Sequence, residues 1–213
     1  MTERVAPRNP DKKVSVVVLA GGQGERLGGD KATVMLAGQR LLDRAIDRMA
    51  CLSDDLIVVV RAGQDLEHSA ARVVTDVLPD AGVLAGLAAG LQAARCPWAA
   101  VVACDMPFLD VRVFDLLIAR TKECDAVVPR LDVGLEPLHA LYSRRCLPAI
   151  LACLKAGRRR VISFYTGLRV CYFPERELLR VDPDKRSFFN INTPEDLQWA
   201  RGQLENASGW HHS

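Results

Sequence analysis

The sequence predicts a three-layer α/β fold, with a mainly parallel central sheet and helices on both faces. Three observations carry this expectation. Short, near-continuous apolar runs recur along the chain, bounded by turn residues or charges, as in strands covered on both faces. Segments with helical spacing separate most of them. The alternation of the two implies right-handed crossovers between parallel strands.

The first strand is expected over 14–20, VSVVVLA, and stops at a glycine pair. A helix follows in LLDRAIDRMACL, where Leu42, Ala45, Ile46 and Met49 share one face. DLIVVVR (55–61) and ARVVTD (71–76) read as the next two strands. VLAGLAAGLQAARC is small, apolar and spaced as a helix. WAAVVACD (98–105) is a strand, and VRVFDLLIART the helix after it. CDAVVP (124–129) is a further strand. The second half is less regular. EPLHALYS (136–143) and LRVCYFP (168–174) read as strands, and RCLPAILACLKAG as a helix broken early by Pro148. In NTPEDLQWARGQL, Thr193 suits an N-cap, Pro194 the first helical position and Asp196 the third, close to a capping box. No repeat or long linker interrupts the pattern. One domain over 14–204 is expected, with a loose leader at 1–13 and a flexible tail at 205–213.

Composition narrows the function. The 213 residues are 49% apolar and 25% charged, with a formal net charge of +2, too balanced for a nucleic-acid groove or a membrane surface. No apolar run approaches the roughly 20 residues that span a bilayer. The polar, Pro-containing start MTERVAPRNPDKK does not read as a signal peptide. Seven scattered cysteines without a C-x-x-C pair read as reduced thiols of a cytoplasmic protein, all seven as buried filler.

The chemistry is expected in the loop after the first strand. VSVVVLAGGQGERLGGDK leaves a buried strand through Gly21 and Gly22 and arrives at Lys31. Glycine permits positive φ and close ligand approach, and exposed N–H groups in such a turn form an anion nest. Arg26 and Lys31 add positive charge over the same cradle, which suits a triphosphate. The loop lacks the Gly-Lys-Ser/Thr ending of a Walker P-loop and fits a dinucleotide fingerprint only loosely. Asp76 and Asp105 each end an apolar run, so both should stand at the rim where open α/β sheets bind ligands. Carboxylates there suit Mg²⁺, which usually takes one or two protein carboxylates plus water and phosphate oxygens. Asn190 and Asn192 alternate along an extended stretch and could both face an acceptor. For Asn192, setting up the following helix is an equal reading. His139 reads as a packed core histidine. GRRRV (157–161) reads equally as a solvated basic turn or as help in holding an anionic partner.

These residues resemble a known family. LAGGQGERLGGDK is similar to the signature loop of the molybdenum cofactor guanylyltransferases, the MobA-type nucleotidyltransferases. CDMPFL resembles their metal-site motif and NINTPEDL their C-terminal motif. AGVLAGLAAGLQAA resembles their Gly-Pro-Leu-Ala-Gly segment, with Val83 in place of proline. EPLHALY and GRRRV fall where the family has similar stretches, so the likeness runs from about residue 14 to 204. It implies a Rossmann-like nucleotidyltransferase fold. It also implies transfer of GMP from GTP to the phosphate of molybdenum-molybdopterin, giving the guanine dinucleotide cofactor and pyrophosphate. Leu19, Ala20, Gly21 and the adjoining Gly22 would contact the nucleotide, Lys31 its phosphates, Asp76 the nucleotide and Asp105 a Mg²⁺ cofactor. Lys31 and Arg26 would neutralise charge in catalysis, and Asn190 and Asn192 would face the acceptor. Implied partners are GTP, molybdenum-molybdopterin, molybdenum cofactor insertion proteins and molybdoenzyme apoproteins, with no nucleic acid and no membrane. The family contacts guanosine just after its second strand, where this chain has Arg61-Ala62-Gly63 without the expected asparagine. Two other readings stay open: a cytidylyltransferase or sugar-1-phosphate nucleotidyltransferase, and a catalytically silent nucleotide-binding module.

Overall fold

A computed structural model describes residues 14–209 except 25, 26, 28, 67, 69, 77 and 79–81. The main strands are β1 (Val14–Leu19), β2 (Leu56–Arg61), β3 (Arg72–Asp76), β4 (Trp98–Ala103), β5 (Ala126–Leu131), β6 (Gly134–Leu135), β7 (His139–Ser143) and β8 (Val170–Pro174). The helices are α1 (Leu41–Met49), α2 (Val83–Ala93), α3 (Val111–Ile118), α4 (Leu147–Lys155), α5 (Glu175–Leu178) and α6 (Pro194–Gly209). The eight strands form one sheet in the order β6-β5-β7-β4-β1-β2-β3, with β8 added to β5. β3, β2, β1 and β4 are parallel, and β7 runs antiparallel between β4 and β5.

The apolar runs are continuous because each strand feeds two cores. Val16, Val18, Val58, Val60, Ala100 and Val102 face the side of α1 and α3. Val17, Ile57, Val59, Ala99 and Val101, the alternate residues, face α2 and α4. Period-two alternation sends neighbours to opposite faces. The far end of the sheet from the carboxyl rim is tied by Asp55, which accepts from Ser15 Oγ (2.5 Å), an Arg72 guanidinium nitrogen (2.6 Å) and the Arg95 amide (2.9 Å).

Helix α2 lies tight against the sheet at Gly90. A Cβ there would press into Val17 Cγ1 and lie 3.2 Å from Val17 Cγ2 and 3.3 Å from Val59 Cγ2. Overpacking of this kind costs about 1–3 kcal/mol, against about 1 kcal/mol gained in helix propensity. Gly90→Ala is therefore expected to lower the urea midpoint. Gly202→Ala, whose Cβ would meet nothing within 4 Å, is expected to raise it or leave it unchanged. A Gly90→Ala protein more stable than its parent would contradict this packing.

His139 lies where a core histidine was expected. Its ring stacks on Phe114 at 4.7 Å and packs against Phe188 at 4.4 Å, and it is fully buried. Nε2 lies 3.4 Å from Ser187 Oγ, and Nδ1 has no hydrogen-bond partner. Burial pushes its pKa down from 6.5 to about 3. In the unfolded chain the ring protonates at its ordinary value, so the unfolded state binds more protons across this window. The stability of the neutral ring is complete above 6.5 and is lost as pH falls toward about 3. The limiting slope is about 1.4 kcal/mol per pH unit. Denaturant unfolding between these limits should show a shallower pH slope in His139→Phe than in the parent; identical slopes would contradict a neutral buried ring.

Two expectations are corrected. Not all seven cysteines are free thiols: Cys124, just before β5, and Cys171, in β8, form a disulfide with Cα atoms 5.8 Å apart. The pairing of β8 with β5, Cys171 opposite Val127, brings them together. Of the free cysteines, Cys104, Cys146 and Cys153 are buried as expected, whereas Cys51 and Cys96 are only half-buried. Burial pushes the Cys146 thiol up to about 12 and the Cys104 thiol further still, so neither is a reactive nucleophile. The second correction concerns the tail: α6 continues to Gly209, so residues 205–209 are helical. Its capping box forms as expected, with Asp196 Oδ2 accepting from the Asn192 and Thr193 amides (both 2.9 Å) and the Asp196 amide donating to Thr193 Oγ1 (3.2 Å). Residues 1–13 lie outside the described residues. Among the described residues no helix is long and apolar enough to cross a membrane.

Candidate functional site

Parallel strands bring their carboxyl ends to one rim. Leu19 pairs with Val59 and with Ala103, and Arg61 pairs with Asp76. Backbone bonds carry the register past the strands: the Ala20 amide donates to Val59 C=O (2.8 Å) and the Cys104 amide to Leu19 C=O (3.1 Å). A cleft of about 1090 Å³ opens along this rim. Leu19, Gly21, Gly22, Lys31, Asp76 and Asp105 line it. Its volume is large enough for a nucleotide, and it sits beside β1, where the order of parallel strands reverses.

The described residues of the glycine loop include a short pairing of their own. Gln23 and Gly24 pair antiparallel with Gly29 and Asp30, which returns the chain to the rim. Asp30 then caps a short 3₁₀ turn, Lys31–Thr33: its Oδ1 accepts from the Ala32 amide (3.1 Å), and Thr33 Oγ1 donates to its C=O (2.9 Å). The Asp-Lys pair thus aims the lysine. Gly21 and Gly22 are exposed, and neither adopts positive φ. Of the two expected reasons for them, positive φ is found instead at Gly63 and Gly82, which leaves close approach to the backbone. What Gly21 and Gly22 give the cleft is a bare backbone. A Cβ on Gly22 would project to 3.7 Å from Lys31 Cδ.

Lys31 is the centre of the cluster. Its Nζ donates to Asp105 Oδ2 and to Asn192 Oδ1, each at 2.6 Å. Three distant segments, the glycine loop, the end of β4 and the stretch before α6, therefore meet at one ammonium. The Ile191 amide donates to Asp105 C=O (2.9 Å), which fastens that stretch to the β4 end. Asp105 is 8% exposed, and its Oδ1 is buried with no hydrogen-bond partner. An unsatisfied carboxylate oxygen at a cleft wall is costly unless a cation or donor completes it. It is also a hard oxygen donor of the kind Mg²⁺ prefers. Among the described residues, no group of three or more His, Cys, Asp or Glu side chains could hold a metal. A metal held by Asp105 would draw most of its ligands from water and phosphate, as Mg²⁺ commonly does.

The other candidate residues are placed as follows. Asp76 is half-buried at the end of β3, with Oδ1 accepting from the Leu78 amide (2.9 Å). Asn190 donates from Nδ2 to Phe188 C=O (2.9 Å), so the two asparagines are held differently. Arg26 lies outside the described residues. Arg158, Arg159 and Arg160 are exposed and do not line the main cleft. The Asp196 carboxyl is held below its usual range by the Asn192 and Thr193 amides, with Lys31 adding to the effect. Gln64 was not expected. It lines the cleft on the turn after β2 and bonds to both the β1 end and Asp30. Nothing in a lone glutamine after Ala62-Gly63 signals such contacts.

Comparison with known proteins agrees with this fold. The family model for the MobA-like NTP transferase domain matches residues 16–170. A molybdenum cofactor guanylyltransferase of Desulfosudis oleivorans is 40% identical over 194 residues, covering 90% of this chain and 96% of that protein. One from Vibrio cholerae is 33% identical, covering 92% and 96%. The crystal structure of molybdopterin-guanine dinucleotide biosynthesis protein A from Archaeoglobus fulgidus superposes with a TM-score of 0.77 at 29% identity, over 91% of this chain and all of that one. A Thermus thermophilus 2-C-methyl-D-erythritol 4-phosphate cytidylyltransferase shares the fold, with a TM-score of 0.67 at 18% identity over 91% and 99%. With a family model covering most of its length and relatives alike over about nine tenths of it, this chain belongs to the MobA-like NTP transferase family.

Proposed function

We infer that this chain is a molybdenum cofactor guanylyltransferase, transferring GMP from GTP to the phosphate of molybdenum-molybdopterin. The relatives named above support the activity. The observation that carries it to a site is the meeting of Lys31, Asp105 and Asn192 at the cleft.

The reaction asks little covalent chemistry of the protein. An oxygen of the acceptor phosphate forms a bond to the α-phosphorus of GTP, the bond to the β-phosphate bridge breaks, and pyrophosphate leaves with its electron pair. The nucleophile is already an anion, so no activated Ser or Cys is needed. Positioning and charge neutralisation carry the rate. In this reading the exposed backbone of Gly21 and Gly22, with Leu19 and Ala20 before it, holds the nucleotide at the rim. Lys31 neutralises phosphate charge, and Arg26 is proposed to assist it. Asp76 holds the nucleoside side of the substrate. Asn192, already bonded to Lys31, stands between nucleotide and acceptor, and Asn190 is proposed to belong to the acceptor side. Mg²⁺ is proposed as the cofactor, held by Asp105 through its unpartnered Oδ1, and when bound it would neutralise phosphate oxygens. Hand-over of the product to insertion proteins and molybdoenzyme apoproteins belongs to the same reading.

The test is pyrophosphate release with GTP and Mg²⁺, with and without molybdenum-molybdopterin. Release that requires the acceptor is expected. Equal release without it, or none with it, would overturn the reading.

A further inference from the structure

We propose that Gln64 is a positioning residue that locks the nucleotide cradle together. This rests on the reading of the rim cleft as the site of nucleotidyl transfer. Its amide ties three segments with no side-chain atom to spare. Oε1 accepts from the Arg61 amide (3.2 Å), which fixes the turn after β2. Nε2 donates to Ala20 C=O (3.1 Å), the carbonyl just before Gly21. Nε2 also donates to Asp30 Oδ2.

The last bond reaches the lysine. One Asp30 oxygen caps the 3₁₀ turn that begins at Lys31, and the other is held by Gln64. The same residue therefore sets both the strand end that leads into the bare glycines and the corner that aims the ammonium. Its place demands an acceptor and two donors on one side chain, which is the inventory of a carboxamide. Glutamate has no donor at ordinary pH, lysine has no acceptor, and asparagine is one methylene shorter. There is an electrostatic reason as well. Asp30 lines the cleft beside Lys31, where a triphosphate would meet a carboxylate. Turning one oxygen into the helical turn and the other onto the Gln64 amide consumes that carboxylate in bonds to the protein and reduces its repulsion of an anion.

The experiment compares the full-length parent with Gln64→Ala, Gln64→Glu and the double variant Gln64→Glu/Asp30→Asn. Affinity for Mg²⁺–GTP is read by calorimetry, kcat and KM for each substrate by pyrophosphate release, and folding by melting temperature. Gln64→Ala and Gln64→Glu are each expected to weaken GTP affinity by about 10-fold to 100-fold, the usual cost of an unmade hydrogen bond in a partly buried site. KM for the molybdenum-molybdopterin acceptor should stay near the parent's. In the double variant donor and acceptor exchange places, and part of the lost affinity should return. A merely structural glutamine would not produce that exchange or spare the acceptor KM. GTP affinity within twofold of the parent in Gln64→Glu overturns the proposal, as does a double variant no better than Gln64→Glu. If Gln64→Ala does not fold, the comparison of Gln64→Glu with the double variant decides. A parent that binds GTP but never transfers GMP fails the functional reading and leaves the affinity test of Gln64 standing.

Discussion

Asp105→Ala is expected to fold like its parent and to have no measurable transferase activity. Only the side chain is lost. The Asp105 carbonyl that holds the Ile191 amide remains, so the stretch before α6 should stay in place. Stability should change little, because the change removes a buried carboxylate oxygen that has no hydrogen-bond partner, together with the 2.6 Å bond to Lys31. Catalysis has no such compensation. The proposed Mg²⁺ ligand disappears, and the ammonium loses one of the two oxygens that aim it. Removing one preorganised electrostatic contact typically costs about 10²–10³ in kcat; removing the carboxylate affects two. The parent's rate should also rise to saturation with Mg²⁺, and residual turnover in the variant should not. A well-folded Asp105→Ala protein with near-parental turnover would remove Asp105 from the mechanism.

Lys31→Met is expected to have the next largest effect. The ammonium sits between Asp105 Oδ2 and Asn192 Oδ1, with the lysine side chain 15% exposed. Methionine keeps much of the length and packing but leaves both oxygens without their donor and the cleft without its central positive charge. We expect kcat/KM for GTP to fall by about 10² or more, with a lowered melting temperature, because the nearly buried Asp105 carboxylate loses its cation. Lys31→Arg should not restore it, since a planar fork does not replace a compact ammonium held between two oxygens. Full activity in Lys31→Arg would mean that positive charge alone, without this geometry, is sufficient.

The sequence made the frame legible where local physics decides. β1, β2 and β4 are continuous apolar runs because each feeds two cores, and that pattern needs no partner to be recognised. The start of α6 was legible because a capping box is local, and its bonds form as Thr193 and Asp196 imply. Lys31, Asp76 and Asp105 could be placed at one rim because strand direction puts them there. Contacts set by three-dimensional neighbours were not legible. Gln64 reaches Asp30 across 34 positions and Ala20 across 44. The Cys124–Cys171 disulfide spans 47, and it depends on β8 joining β5 rather than any earlier strand. Of the two reasons expected for the glycines, positive φ and close ligand approach, the structure excludes the first. Gly21 and Gly22 keep negative-φ or extended backbone, so their value lies in the absent side chain rather than in a left-handed turn. Asn190 and Asn192 alternate in sequence yet bond in different directions, because Asn192 is drawn to the lysine and Asn190 to its own segment.

Base choice tests the central claim most directly. A cleft built to hydrogen-bond the amide edge of guanine leaves polar groups unpaired when another base enters, at about 1–3 kcal/mol for each. The readers are expected among the backbone groups of Leu19 to Gly22, which adjoin the cradle and carry no side-chain code for a base. The measurement is kcat/KM for GTP, CTP and ATP with the same molybdenum-molybdopterin acceptor and Mg²⁺. The account predicts a preference for GTP of about tenfold or more, with the guanine dinucleotide cofactor as product. A preference for CTP would contradict it and make the chain a cytidylyltransferase on the same scaffold.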